Sequence, residues 1–450
     1  MSHDLVTIGA GAAGEYAAGL AAEMGGRVAV VERELVGGEC AFWACMPSKT
    51  LLDAAWRRAL GADYPWRRAS DRRDWMISRE KIDVQDDAAH ARALEEKGAE
   101  VVRGEARVTG RGSVEVRTAD GPRTLEGRNL LVAAGSVPVI PEIVGAEQAG
   151  YWTSRQATTA RDLPSSLVIL GSGVVGVEMA QVFARFGTKV TILELHDRIL
   201  AKDHPRSSAA LHERLQSEGV QIRTGVTAES VERGGAGRIV HLSDGSTVEG
   251  SEFLIAIGRR PADLRELGLE EAGIDLDDRG AAPAHDEQMR IGEGVLVAGD
   301  AAGGPQFTHV AVYHGRIAAL AAMGGSPKAD LSAVPKAVFT DPEIASVGLM
   351  VEEAQERGID AFEESTDFAT TTRGYLTEGS TGHLTAVVDR ERRQLVGAFA
   401  AAPGASELIH LPALAIKQGV PLEVLVDTIT AFPTGARELT HVFDAALKKL

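Results

Sequence analysis

The chain repeats itself. Residues 8–32, IGAGAAGEYAAGLAAEMGGRVAVVE, and residues 170–194, LGSGVVGVEMAQVFARFGTKVTILE, superpose at a constant offset of 162. That offset brings Gly9 onto Gly171, Gly11 onto Gly173, Gly14 onto Gly176, Gly25 onto Gly187 and Glu32 onto Glu194. Each copy opens on an apolar run (Leu5 to Ile8; Leu167 to Leu170) and closes on another (Val28 to Val31; Val190 to Leu193), so each reads as strand, glycine turn, helix, strand. In such a turn the first Gly permits the tight bend, the second lets the backbone approach a pyrophosphate, and the third lets helix and strand pack closely. The phosphates then sit at a helix N-terminus, where free N–H groups and the macrodipole favour anions. A single GxGxxG is a weak signal; two copies in the same context, each ending on Glu, mark two dinucleotide sites. An α/β chain with two Rossmann-like domains follows.

The acid that closes each unit is placed to accept hydrogen bonds from a ribose diol. In the second copy Glu194 would repel a 2′-phosphate and the third glycine is Gly176 rather than Ala, so NADH is expected there over NADPH, although His196 and Arg198 lie nearby. Length and charge narrow the class further. Four hundred and fifty residues suit about three cores rather than one. Lys+Arg 47 against Asp+Glu 64 gives a net charge of −17, which argues against nucleic acid or an anionic membrane as partner. No apolar run reaches the ~18 residues of a bilayer span, and the start, Met1-Ser2-His3-Asp4, lacks signal-peptide features, so a cytoplasmic location is expected.

Directly after the first repeat comes Val36-Gly37-Gly38-Glu39-Cys40-Ala41-Phe42-Trp43-Ala44-Cys45-Met46-Pro47-Ser48-Lys49, which holds both cysteines of the chain, five residues apart. In a regular helix this spacing separates Cα atoms by about 8 Å, too far for a disulfide; an irregular turn leading into a helix would close the gap. No set of metal ligands surrounds the pair, and no metal site is expected.

Gly37 to Lys49 resembles the redox-active segment GGxCxxxxCxPxK of the class I flavoprotein disulfide reductases, the pyridine nucleotide–disulfide oxidoreductases that include dihydrolipoamide dehydrogenase, glutathione reductase and mercuric reductase. Leu131 to Pro138, with Ala134 and Gly135, is similar to the stretch where that family's chain leaves its FAD domain. Ala256 to Pro261, with Gly258, is similar to the return; Leu296 to Asp300 to the second flavin motif; Val338 to Glu343 to the opening strand of the dimerisation domain. The resemblance implies an FAD domain at 1–145 and 263–330, an NAD(H) domain inserted at 146–262, and a C-terminal α+β dimerisation domain at 331–450 of a homodimer. It assigns FAD to Gly9, Gly11, Gly14, Glu32, Gly38, Lys49, Ala134, Gly135, Asp300, Thr308 and His309. It assigns the nicotinamide nucleotide to Gly171, Gly173, Gly176, Glu194 and Gly258. It further implies that electrons pass from NADH through FAD to a Cys40–Cys45 disulfide and on to a small molecule, with Cys45 nearer the flavin, Cys40 the interchange thiol, and Lys49 and Glu178 an ion pair beside the flavin. The Arg-rich stretch Trp66 to Asp87, carrying Trp75, fits neither repeat and reads as a helical excursion shaping the substrate entrance, or as a solvated face.

One motif departs from the family. Members that exchange dithiols carry His-Pro-Thr-x-x-Glu near the C-terminus, the His serving as acid–base for the interchange thiol across the dimer. Here the run is Phe432-Pro433-Thr434-Gly435-Ala436-Arg437-Glu438: Phe432 replaces the His, Arg437 the Glu, and Glu438 comes one residue late, while His410 and His441 lie off the motif. Losing a positioned acid–base group costs about 10²–10⁴-fold. The expected activity is therefore NADH-dependent reduction of a small disulfide or thiol-reactive acceptor. A quinone or diaphorase reaction with the disulfide secondary is the alternative, and C–S cleavage like that of 2-ketopropyl coenzyme M oxidoreductase/carboxylase, which shares the Phe, a more remote one.

Overall fold

A computed structural model describes residues 2–79, 85–235 and 237–450. The chain gathers into two compact units, one built from Met1–Thr50, Arg67–Ile140 and Gly258–Asp330, the other from Leu51–Trp66, Pro141–Ile257 and Leu331–Leu450.

The first unit is built on an eight-stranded sheet whose main path runs Arg290–Gly292, Val295–Val297, Gly121–Val132, His3–Ile8, Val28–Glu32, Ala99–Arg103. Its central strands pair in parallel, Val6 lying between Ala29 and Leu130. They are apolar almost without interruption because both faces are covered. Alternate side chains serve opposite cores. Leu5, Val28, Val30, Leu131 and Leu296 join the core of helices Ala12–Glu23 and Thr308–Ala322. Val6, Val31, Val132 and Val297 join a second core with Leu264 and Leu269. The two helices approach closely because small residues meet: a side chain on Gly315 would run into the Ala13 carbonyl. The chain leaves this unit along Ser136–Pro138 and returns along Arg259–Pro261, and those two segments form an antiparallel ribbon.

Among the described residues the second unit contains a small antiparallel sheet, Ala228–Gly234, Gly237–Leu242 and Thr247–Gly250, and two larger ones. A parallel one, ordered Gln221–Arg223, Lys189–Leu193, Ser166–Leu170, Glu252–Ile255, carries the second copy of the repeat. An antiparallel one, ordered Lys336–Val338, Ile344–Gly348, Gln394–Ala401, His383–Asp389, Ala361–Asp367, shares its core with helices His410–Gln418 and Gly435–Leu447. Polar side chains on helices Val174–Arg185 and Pro205–Ser217 tie these two larger sheets together: Gln181 exchanges hydrogen bonds with the Asp341 backbone (2.7 and 2.9 Å), and Arg185 and Arg214 both reach the Asp341 carboxylate at 2.6 Å. Burial would raise the Asp341 pKa, but hydrogen bonds from Arg214 and Arg185 outweigh it and hold the carboxyl below its ordinary range. No helix of the described residues is long and apolar enough to cross a membrane.

Candidate active site

The two repeats fold alike down to single hydrogen bonds. Gly9 and Gly171 adopt φ of +96° and +99°, values open to glycine, and their helices both begin one residue past Gly11 and Gly173. A Cβ on Gly14 would overlap the Gly9 carbonyl oxygen, and one on Gly176 the Gly171 carbonyl oxygen, so the third glycine of each motif is fixed by packing. Glu32 accepts hydrogen bonds from Ala10 N and Glu34 N, both at 2.7 Å; Glu194 accepts them from Ser172 N (3.0 Å) and His196 N (2.8 Å). Each acid is thereby held beside its glycine turn. In the second copy Ser172 Oγ adds a donor to Glu194 at 2.5 Å. Arg198 points elsewhere: its guanidinium donates to the carbonyls of Leu200, Ala201 and Asp203.

The cysteine segment is pressed against the first glycine turn. Gly37 N donates to Ala10 O (2.8 Å), and Gly38, at φ +61°, passes so close that a Cβ would lie 2.7 Å from the Gly11 Cα. Cys40 lies in the short helix Gly38–Phe42 and Cys45 opens helix Cys45–Ala59. Between them the helix breaks: Trp43 N and Ala44 N both donate to Glu39 O (2.9 and 2.8 Å), and Trp43 takes φ −134°. This irregular turn folds the five-residue spacing short. Both cysteines are half-buried free thiols. A hydrogen bond to the Cys45 thiol, then burial and the Cys45 charge, push the Cys40 thiol well above its ordinary pKa, while hydrogen bonds from the Thr308 hydroxyl and the Cys45 backbone act in the other direction. Thr308 Oγ1 stands 3.2 Å from Cys45 Sγ, at the first residue of helix Thr308–Ala322. A thiolate there meets a hydroxyl and the positive end of a helix dipole, the surroundings that activate cysteines.

The remaining expected residues fall as follows. Lys49 lies four residues beyond Cys45, on the same face of its helix. Glu178 is buried in the second unit, where its carboxylate accepts the Phe339 N–H (2.9 Å). Asp300 accepts a hydrogen bond from Ser136 Oγ (2.6 Å), and Arg259 holds Ser136 through both its hydroxyl and its carbonyl (2.8 and 2.7 Å). Ala134 and Gly135 (φ +73°) end the strand that feeds this network, and Gly258 O accepts Val139 N across the ribbon (2.9 Å). His309 is exposed and stacks on Phe307 at 5.3 Å. Ser136, Ser172 and Thr308's contact with the sulfurs carry roles that motif reading does not disclose. Phe432 is 71% exposed. Glu438 is buried, its carboxylate taking the Arg373 N–H (3.0 Å) and the His441 ring (3.3 Å).

Two dinucleotide-type turns and a vicinal dithiol lodged against the first of them define a dithiol-bearing pyridine nucleotide oxidoreductase. The chain belongs to the pyridine nucleotide-disulphide oxidoreductase family, which it matches over residues 3–315, with that family's dimerisation domain at residues 334–443. Among its relatives, the mercuric reductase of Staphylococcus aureus is 31% identical across 100% of this chain and 84% of that protein. The dihydrolipoyl dehydrogenase of Geobacillus stearothermophilus is 32% identical across 96% and 93%. The fold is similar to the Cu(II) complex of the HOCl-induced flavoprotein disulfide reductase RclA from Escherichia coli, with a TM-score of 0.89, 28% identity and 99% of both chains covered. LpdA from Mycobacterium tuberculosis gives a TM-score of 0.87 at 28% identity, covering 98% and 99%. The chain is thus an oxidoreductase of a family that uses FAD and NAD(P)H.

The residues present fit an FAD: a Cβ at Gly11 would project into open space, so the bare glycine leaves the turn's backbone accessible to a pyrophosphate, Glu32 is fixed beside that turn, and Asp300 stands beside Ser136. Gly9, Gly11, Gly14, Glu32, Gly38 and Asp300 would hold it.

Proposed function

We propose that the protein is a homodimeric NADH-dependent reductase that delivers two electrons to the Cys40/Cys45 pair and from there to a small disulfide or other thiol-reactive acceptor. The observation that carries this reading is the grouping of both thiols with Thr308 at a helix N-terminus, on a segment seated against the first glycine turn. FAD, when bound, supplies the relay between a two-electron nicotinamide donor and the sulfur pair. The rest falls to the chain's own groups. Cys40 attacks the acceptor disulfide and releases one thiol; Cys45, its thiolate supported by Thr308, then attacks Cys40, releases the second thiol and leaves a Cys40–Cys45 disulfide. Regeneration closes the sum NADH + H⁺ + RSSR → NAD⁺ + 2 RSH.

Preference for NADH is supported by Glu194, which is held beside the second glycine turn, and by Arg198, whose guanidinium donates to three backbone carbonyls. Domain limits at 1–145 with 263–330, 146–262 and 331–450 suit this reading. Exposed Ile429 and Phe432 at the C-terminal domain suit a surface covered by a second subunit.

Phe432 favours a second reading. With no proton carrier at that position and the Cys40 pKa raised, acceptors that need no positioned acid have the advantage. These are quinones, which take electrons without the thiols, and thiophilic cations, which expel both thiol protons into solvent; mercuric reductases and a Cu(II) complex stand among the relatives. Cys40→Ser separates the readings. Loss of disulfide turnover with quinone reduction retained is the expected result; disulfide turnover surviving in the variant would overturn the dithiol route.

A further inference from the structure

The Arg-rich stretch finds no use in the chemistry above. Its described part forms helix Trp66–Ser78, with residues 80–84 outside the described set. The inner face buries Ile77, which packs on Phe42 and Trp43, the residues between the two cysteines. The helix is therefore seated on the redox loop, and its outer face presents Arg72, Trp75 and, just past the helix end, Arg79.

Most charges of the helix are neutralised. Buried Arg73 pairs with Asp74 (2.6 Å) and Arg67 with Asp71 (3.4 Å). Arg72 and Arg79 are different: both guanidiniums lie over the indole of Trp75, 5.3 and 4.7 Å from its centroid, and neither has a carboxylate partner among the described residues. Trp75 itself is 43% exposed. The negative face of an indole offsets only ~0.5–1 kcal/mol per cation at an exposed site. Two like charges at one ring, with no counter-ion among the described residues, gain by accepting an anion. On a chain of net charge −17 the patch is a local concentration of positive charge at an aromatic ring.

We propose that the Arg72–Trp75–Arg79 face captures a small aromatic anion, and that the acceptor reduced at the cysteine pair is accordingly an aromatic molecule bearing carboxylate or sulfonate groups. The substrate class rests on the dithiol reading given above; the anion site does not. Size sets the occupant. With their guanidiniums 5.3 and 4.7 Å from one ring centroid, Arg72 and Arg79 hold their charges no more than about 10 Å apart, within the span of one small dianion. One face of a thirteen-residue helix falls far short of the ~800 Å² that a stable protein partner needs on each side. Local charge of this kind raises capture rates by about 10–10³-fold and loses its effect in salt.

The test is the double variant Arg72→Gln/Arg79→Gln in the holoenzyme. With dithiobis-nitrobenzoate, a dianionic disulfide of two carboxylate-bearing aromatic rings, kcat/KM should fall at least about tenfold, while the value for neutral dithiodipyridine holds steady. In the parent the advantage of the dianion should shrink as salt rises. Equal changes for the two acceptors would overturn the proposed substrate class. Naphthalene disulfonate, a planar dianion that cannot exchange with thiols, reads the site without turnover: in calorimetry on the oxidised protein without NADH, the variant should bind it at least about tenfold more weakly. Unchanged affinity would overturn the anion site. Weakened binding combined with disulfide turnover that survives Cys40→Ser would sink the dithiol reading and leave the anion site standing.

Discussion

Replacing Thr308 by Val keeps the branched shape of the side chain and deletes the hydroxyl that stands 3.2 Å from Cys45 Sγ and also reaches Cys40. A hydrogen bond to an ionised partner contributes about 1.5–3 kcal/mol. At about 1.4 kcal/mol per factor of ten, its loss should lower the thiolate population near neutral pH by roughly 10- to 100-fold. The helix N-terminus remains, and its ~0.3–1 kcal/mol keeps the loss from being complete. The assay is the rate of iodoacetamide alkylation of the reduced pair from pH 5 to 10, followed with flavin content so that a cofactor effect is seen separately. Because the two thiols interact, the profile reports apparent constants of the pair rather than of either cysteine. The Val variant should react slowly at neutral pH and catch up at high pH, and Thr308→Ser should behave like the parent. A Val profile that overlays the parent's would show that the hydroxyl holds no charge on the sulfurs, and the account of how this site activates a thiol would fail.

Phe432→His combined with Arg437→Glu should raise disulfide turnover without changing quinone reduction; Phe432→His alone should gain less, since Glu438 is committed to Arg373 N and cannot orient a new imidazole. No gain from the pair, measured against the same disulfide, would place acid–base work elsewhere. Glu194→Ala should cut kcat/KM for NADH at least about tenfold, by loss of charged hydrogen bonds, without producing efficient NADPH use, because Arg198 stays bound to its three carbonyls; a switch to NADPH would refute that reason. Burial, with the nearby His204 and Arg206 charges, lowers the His383 pKa from 6.5 to about 3. The unfolded chain therefore binds the extra proton first, and stability present above pH 6.5 should decline by up to about 1.4 kcal/mol per pH unit as pH falls toward 3. Thermal unfolding across that range checks the slope, which His383→Gln should flatten.

The repeat was fully legible because its constraints are steric: a glycine that cannot carry a Cβ against a carbonyl leaves its mark at Gly14 and Gly176 alike. The family's motifs carried the architecture for the same reason. The cysteine pair was legible as a pair, but its closeness depends on two amides converging on Glu39 O, a local break that spacing alone leaves open. Arg198 lies near Glu194 in the sequence, and only the course of the following loop shows its guanidinium donating to carbonyls. Thr308 sits 263 residues from Cys45, and no periodicity links residues so far apart. Likewise the offset of Glu438 could be counted in the sequence, whereas its turn toward Arg373 required the helix Gly435–Leu447 to be seen.

The ribbon of Ser136–Pro138 and Arg259–Pro261 has a genetic meaning as well. It clasps together the two ends of a segment more than a hundred residues long, so that whatever is strung between them leaves and comes back through one doorway. A stretch of coding sequence spliced in at such a doorway disturbs neither the strand order nor the chain path of its host. Since the passenger bears the same phosphate turn as the host, duplication of an ancestral nucleotide-binding gene followed by insertion of one copy into the other accounts for both the likeness of the halves and the interruption of the first by the second.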